Sequence, residues 1–239
     1  MIRLAITGSL GRMGQSIYRL AKSDNNFDIV ALLERKEHPD IGKTIDGIDV
    51  TSHLEELKNA DVLIDFTSPE STTKNVSFCA QNNIKIIIGT TGLAQSDIKT
   101  IENAASKTGI VFSSNMSVGV NIVFKMAEEL SQRTGNNYKV RITEAHHIHK
   151  KDAPSGTAKT LANYIEKENA KKVDSIDSIR EGEIIGDHDV VFESDVDTIT
   201  VRHHAKTRDI FSQGSLVAAK FIINHKTGLF NMHDVLGIK

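Results

Sequence analysis

A short apolar run, Ile2 to Thr7, breaks off at Gly8-Ser9-Leu10-Gly11-Arg12-Met13-Gly14, and Leu10, Met13, Ile17, Leu20 and Ala21 then recur at helical spacing. A strand that feeds a helix through three glycines narrows the possible folds sharply. The glycines permit a tight turn and close backbone approach, and the helix start beyond them presents N–H groups to an anion such as a pyrophosphate. The spacing is G-x-x-G-x-x-G, not the stricter G-x-G-x-x-G, and three glycines alone also suit an ordinary turn. The second apolar run, Ile29 to Leu33, sharpens the reading because Glu34 ends it. An acid about 20 residues after the loop stands where ribose hydroxyls are bound. Arg35 beside it suits the 2′-phosphate of NADPH, so NADPH or NADH is the expected cofactor, with Arg12 adding charge near the phosphates. Two solvated charges at a strand end are the plainer alternative.

The alternation continues through Val62-Leu-Ile-Asp-Phe66, Ile84 to Ile88 and Gly109 to Phe112, with helical patterns at Ser71 to Asn82 and Ala94 to Lys107. Continuous apolar runs of strand length are expected where helices cover both faces of a parallel sheet. The order predicts a doubly wound α/β domain. Gly89-Thr90-Thr91-Gly92 follows one such strand, so it belongs at the carboxyl edge, where open α/β sheets bind ligands.

Near Ser117 the pattern changes. Val120 to Thr134 predicts a helix, and in Tyr138 to His147 the residues Val140, Ile142 and Glu144 oppose Arg141, Thr143 and Ala145. Thr157 to Asn169 reads as a helix with Leu161, Ala162 and Ile165 inward, and Lys167 to Ser178 as a solvated loop. Val190 to Glu193, Thr198 to His204 and Asp209 to Phe211 read as half-exposed strands, which predicts a second, α+β domain. A last helix, Ser215 to Ile223, and the tail Leu229 to Ile238 are apolar enough to return to the first domain. The expected division is 1–117 completed by 214–239, and 118–213.

A net charge of −2 offers no global positive field to nucleic acid. Cys79 is the single cysteine, so there is no intrachain disulfide, in keeping with a reducing compartment. No apolar run approaches the ~20 residues of a bilayer span, and no signal peptide is recognisable. The expectation is a cytoplasmic protein with no membrane partner.

Glu144-Ala-His-His-Ile-His-Lys-Lys-Asp-Ala-Pro-Ser-Gly-Thr157 packs three histidines and two lysines into six residues and closes on a turn that opens a helix. Histidine exchanges protons near neutral pH, and a neighbouring lysine supplies a charge or a second proton. Pro154-Ser155-Gly156-Thr157 presents backbone N–H groups at the helix start, suited to a carboxylate. The segment reads as proton chemistry on a small anionic substrate. A zinc site through His147 and His149 is the alternative, but it would need His203 and His204 from far along the chain, and the zincin spacing is absent. No metal is expected.

Taken together, the chain resembles the 4-hydroxy-tetrahydrodipicolinate (dihydrodipicolinate) reductase family almost from end to end. The resemblance runs through Gly8 to Gly14, Asp65-Phe-Thr67 with Pro69-Glu70, Gly89 to Gly92, Asn115 to Asn121, Glu144 to Ala158, Gly186-Asp-His188 and Gly228 to Leu236. It implies an N-terminal Rossmann-type domain, a C-terminal domain on a mixed sheet, a homotetramer, and hydride transfer from NADH or NADPH to a small cyclic dicarboxylate. By the same resemblance His146 exchanges the proton, Lys150 is the second proton donor, and His147 contacts substrate. Gly156 and Thr157 bind a substrate carboxylate. Gly8 to Met13, Glu34, Arg35, Gly89 to Thr91, and Ser113, Ser114, Asn115 and Met116 line the cofactor. Three departures stand out: Met116 where many members have Phe, Ser68 where some have Arg, and the lack of a glycine-rich segment before Arg180-Glu-Gly182. Other readings are a different oxidoreductase on the same scaffold or a non-enzymatic dinucleotide-binding sensor. The sensor leaves Glu144 to Thr157 without a purpose.

Overall fold

The computed structural model describes residues 1–167 and 172–238. In chain order the first stretch holds β1 (Ile2–Thr7), α1 (Arg12–Lys22), β2 (Phe27–Leu33), β3 (Thr44–Ile45), β4 (Ile48–Thr51), β5 (Val62–Asp65), α2 (Pro69–Asn82), β6 (Lys85–Ile88), α3 (Gln95–Ala104) and β7 (Gly109–Phe112). Then come α4 (Val118–Thr134), β8 (Lys139–His146), α5 (Gly156–Glu166), β9 (Ser175–Arg180), β10 (Asp187–Glu193), β11 (Thr198–His204), α6 (Asp209–Ile222), β12 (Gly228–Phe230) and α7 (Met232–Leu236). The chain forms two compact units, one from Met1–Ser117 with Phe211–Lys239 and one from Val118–Ile210.

The first unit is built on an eight-stranded sheet in the order β12-β7-β6-β5-β1-β2-β4-β3. Every pair is parallel except β3 with β4. Strand order reverses at β1, which lies between β2 and β5, and a crevice opens there at the carboxyl ends of the strands. The central strands are apolar on both faces: Leu4, Ala5, Ile6, Val62, Leu63, Ile64, Ile86, Ile87 and Ile88 are wholly buried. This is why they read as continuous runs rather than alternating ones.

The second unit carries a four-stranded sheet, β11-β10-β8-β9, in which only β8 with β9 is parallel. Here the strands do alternate. Val140, Ile142, Val190, Phe192 and Val201 face a core shared with Phe124, Ala127, Leu161 and Ile165 of α4 and α5. Among the described residues, no helix is long and apolar enough to cross a membrane.

Several elements differ from expectation. Asp209 to Phe211 is the first turn of α6, not a strand. Three residues do not distinguish the two periods, and the buried positions Ser215, Leu216, Ala218, Ala219 and Ile222 continue at helical spacing. Ser175 to Ser178 lies in β9 rather than a loop. It is an exposed edge strand, and polar residues suit an edge that borrows pairing from β8 on one side only. The short β3, β4 and β12 carry too few residues to show a period. Residues 168–171, which fall within the expected helix and loop, lie outside the described residues.

Candidate active site

In the first unit the glycine turn explains itself by contact. Gly8 has φ +65°, a left-handed backbone that glycine adopts without strain, and its carbonyl accepts from the Gly11 N–H at 3.0 Å. A Cβ on Gly14 would lie 2.2 Å from the Gly8 carbonyl oxygen, so α1 can begin this close to the strand only with glycine there. Gly11 caps α1 without any side-chain hydrogen bond. At the end of β2, the Glu34 carboxylate accepts the Leu10 N–H at 3.2 Å and the Arg35 N–H at 3.0 Å.

Gly8, Leu10, Gly11, Glu34 and Arg35 line one cavity of about 1060 Å³, with Thr7, Lys36, His38, His53, Thr67, Ser68, Lys74 and Asn75 on its walls. Of the other expected cofactor residues, Ser9 is buried at 4% exposure with its hydroxyl unpartnered among the described residues. Arg12, Met13, Thr91 and Ser114 do not line this cavity. Thr90 is buried and binds the loop after β5, accepting from the Thr67 N–H (3.0 Å) and the Thr72 hydroxyl (2.8 Å). Gly89 lies against Phe66, whose ring a Cβ would meet at 2.2 Å. Ser113 donates to the Asn115 carbonyl at 3.0 Å, Asn115 accepts the Ser117 N–H at 2.9 Å, and Met116 is buried. Beneath the switch point, Asp65 is fully buried and accepts from the Thr7 (2.9 Å) and Thr67 (2.6 Å) hydroxyls. Burial pushes its carboxyl up, against the pull of those hydroxyls. A glycine turn that a Cβ at Gly14 would break, an acid at the β2 end and a large cavity together fit a dinucleotide.

In the second unit the inward face of the four-stranded sheet changes from apolar to polar toward one end. Glu144 and His146 continue the row of Val140 and Ile142 along β8. Glu144 stands directly opposite His188 of β10 and Ser178 of β9, and His188 opposite His203 of β11. Glu144 has no exposed surface. It accepts a fork from Arg180 (2.9 and 2.7 Å), the Ser155 N–H (3.1 Å), and His146 Nδ1 at 2.5 Å. Burial alone would raise its carboxyl, but hydrogen bonds from Arg180, Ser178, His146 and Ser155 hold it down at about 2. His146 is pushed below the usual histidine range, chiefly by burial, with Glu144 opposing and Lys150 and Arg180 reinforcing. With Glu144 an anion, Nδ1 of His146 carries the hydrogen and Nε2 keeps its lone pair.

Ser155 caps α5 by accepting the Ala158 N–H at 3.1 Å. Gly156 is exposed and Thr157 half-buried in the first turn, so this helix start is open to solvent while its cap is not. Lys150 pairs with Asp152 at 2.8 Å. His147 meets Arg208 at 3.2 Å, and His149 lies 3.9 Å from Glu183. The structure therefore brings His146 and Ser155 together on Glu144, while His147 turns to a different partner. Among the described residues, no group of three or more His, Cys, Asp or Glu side chains is placed to hold a metal ion. Arg180, His188 and His203 join the cluster through strand register, a relation that spacing along the chain does not reveal.

Comparison with known proteins matches residues 2–116 to the family model "Dihydrodipicolinate reductase, N-terminus" and residues 119–236 to "Dihydrodipicolinate reductase, C-terminus". The chain is similar to the 4-hydroxy-tetrahydrodipicolinate reductase of Polynucleobacter necessarius subsp. necessarius (strain STIR1), 36% identical over 265 positions covering all of both chains. That of Pelagibacter ubique (strain HTCC1062) is 38% identical, covering all of this chain and 99% of the relative. The aligned 265 positions exceed the 239 residues here, so the Polynucleobacter protein carries residues that this chain lacks. Among solved structures, dipicolinate-bound dihydrodipicolinate reductase from Paenisporosarcina sp. TG-14 superposes with a TM-score of 0.83 at 27% identity, covering 97% of each chain. With both halves matched and relatives aligned along its full length, the chain belongs to the dihydrodipicolinate reductase family.

Proposed function

We propose that this chain is an NAD(P)H-dependent reductase that converts 4-hydroxy-tetrahydrodipicolinate, or dihydrodipicolinate, to tetrahydrodipicolinate in diaminopimelate and lysine synthesis. The observation that carries the reading is His146 held on Glu144 beside the capped turn of α5, in a chain whose two halves match the family. The dipicolinate bound to the Paenisporosarcina relative supports a cyclic dicarboxylate as ligand.

A reduced nicotinamide, when bound, supplies the hydride. Gly8 to Met13 form the phosphate turn, with Glu34 on the adenosine ribose. Arg35 stands where a 2′-phosphate would meet it, so both nucleotides are accepted in this reading. Gly89 to Thr91 and Ser113 to Met116 complete the cofactor's lining at the carboxyl edge of the sheet. Reduction of dihydrodipicolinate adds one hydride and one proton; from 4-hydroxy-tetrahydrodipicolinate a molecule of water leaves as well. A neutral His146 with its hydrogen on Nδ1 offers a lone pair at Nε2, so it is suited to exchange a proton rather than to deliver one at rest. Delivery falls to the Lys150 ammonium, which also stabilises charge as it develops on the substrate. Backbone N–H groups of Gly156 and Thr157, on the helix set by Ser155, receive one carboxylate, and His147 faces the other. Assembly as a homotetramer through the sheet face that bears Arg141, Arg202 and His204 belongs to the same reading, and light scattering tests it.

The primary test follows oxidation of NADPH, then NADH, with freshly generated dihydrodipicolinate synthase product. We expect substrate-dependent oxidation with both. His146→Gln should lower kcat by about 10²–10⁴ while nucleotide affinity holds. Nucleotide binding without turnover in the unaltered chain would sink the reductase reading.

A further inference from the structure

We propose that His188 is a positioning residue for the reduction, fixing both the turn that receives the substrate carboxylate and the ring of His146. This deepens, and rests on, the reading of the second unit as the dicarboxylate site.

His188 is 4% exposed and lies in the middle of the sheet's polar end, opposite Glu144 on one side and His203 on the other. Its Nε2 meets the Ser155 hydroxyl at 3.3 Å, the ring's sole hydrogen bond among the described residues. Ser155 is thereby gripped from two strands: Glu144 of β8 takes its N–H, and His188 of β10 holds its hydroxyl. That same hydroxyl caps α5, so the direction in which the Gly156 and Thr157 N–H groups point depends on both grips. His188 also stands edge-on to His146, ring centres 5.2 Å apart and planes at 77°. Glu144 fixes His146 by one hydrogen bond, which alone leaves the ring free to turn about that axis, and the His188 ring packed against it limits the turning. Gly186 keeps the space clear, since a Cβ there would lie 3.1 Å from His146 Nε2 and 3.8 Å from the His188 ring.

A purely structural histidine would matter only for stability. A positioning one must alter dicarboxylate binding selectively. Three proteins separate the cases: His188→Phe keeps a ring but loses the bond, His188→Gln restores a polar nitrogen near the Nε2 position, and Ser155→Ala removes the other partner. Binding of dipicolinate and of NADPH is measured by calorimetry, and KM and kcat with the substrate. We expect His188→Phe to weaken dipicolinate and raise the dicarboxylate KM by roughly 3–10-fold, the worth of one buried hydrogen bond. NADPH affinity should stay within about twofold, and His188→Gln should recover most of the loss. The effects of Ser155→Ala and His188→Phe should be non-additive when combined, because each removes the same hydrogen bond. Dipicolinate binding by His188→Phe within about twofold of the unaltered protein would overturn the proposal. If His188→Phe does not fold, Ser155→Ala decides instead, and dipicolinate binding by it within about twofold of the unaltered protein would overturn the proposal. Absence of turnover in the unaltered protein would strike the reductase reading, and the dipicolinate measurements would still decide the role of His188.

Discussion

Arg180, His146 and the Ser155 N–H all converge on a Glu144 carboxylate with no exposed surface. Glu144→Gln keeps the shape but strands the Arg180 guanidinium against a neutral amide. We expect a loss of about 3–5 kcal/mol in the stability of the second unit, measured by urea unfolding. Acid should act in the same region. His188 is pushed down to about 4 by burial, with His146 and His203 adding to the effect, against an ordinary 6.5. Between those values the unfolded chain binds a proton that the folded chain refuses, so stability falls as the pH drops through that window, by up to about 3 kcal/mol. Glu144, ordinarily 4.5 and held at about 2, continues the fall below pH 4.5, because its native carboxylate resists protonation. Urea midpoints should decline steadily from pH 7 to pH 3, and His188→Gln should flatten the upper part. A flat midpoint between pH 6.5 and 4.5 in the unaltered protein would contradict this. At this scale the stretch that holds Glu144, His146 and Ser155 stands out because it is contiguous, but the part of Glu144 as their shared acceptor does not. Nor does Arg180, because its tie to Glu144 spans 36 positions and exists only through strand pairing.

Among the elements, α6 offers the sharpest test. Gly214 lies within it, and a Cβ there would fall 1.7 Å from the Met116 carbonyl oxygen, nearer than any contact allows. Gly214→Ala improves helix propensity by about 1 kcal/mol in isolation, yet here it must push α6 off the loop after β7. We expect a net destabilisation of at least about 2 kcal/mol and weakened nucleotide binding, read by thermal melting and calorimetry. The strands of the first unit were legible as elements because burial on both faces makes them uniformly apolar. By contrast β9 was hidden, since an exposed edge with Ser175, Asp177 and Ser178 looks like a loop until its partner strand is known. The start of α6 reads as a strand because its first turn holds too little of the helical repeat.

At the level of the whole molecule, the first unit is assembled from both ends of the sequence and the second from the middle. Deleting everything after residue 210 removes α6, β12 and α7 but no strand of the second unit's sheet. We expect such a chain to lose NADPH binding while amides of β8 and β10 keep their hydrogen-exchange protection. Equal loss of protection in both units would mean that they unfold as one. The two-part division could be foreseen because strand character changes near Ser117, from runs buried on both faces to alternating ones. Its far limit was harder to place, since the crossing back falls inside a helix rather than in a glycine- or proline-rich linker. The pairing of β12 with β7 also sets a timetable for synthesis. A ribosome that has made β7 must translate the entire middle of the protein before the strand that closes its outer edge exists. At about 5–20 residues per second, that edge stays bare for roughly 6–24 s on every nascent chain. During that interval it is open to strand pairing with a neighbouring polypeptide on the same messenger.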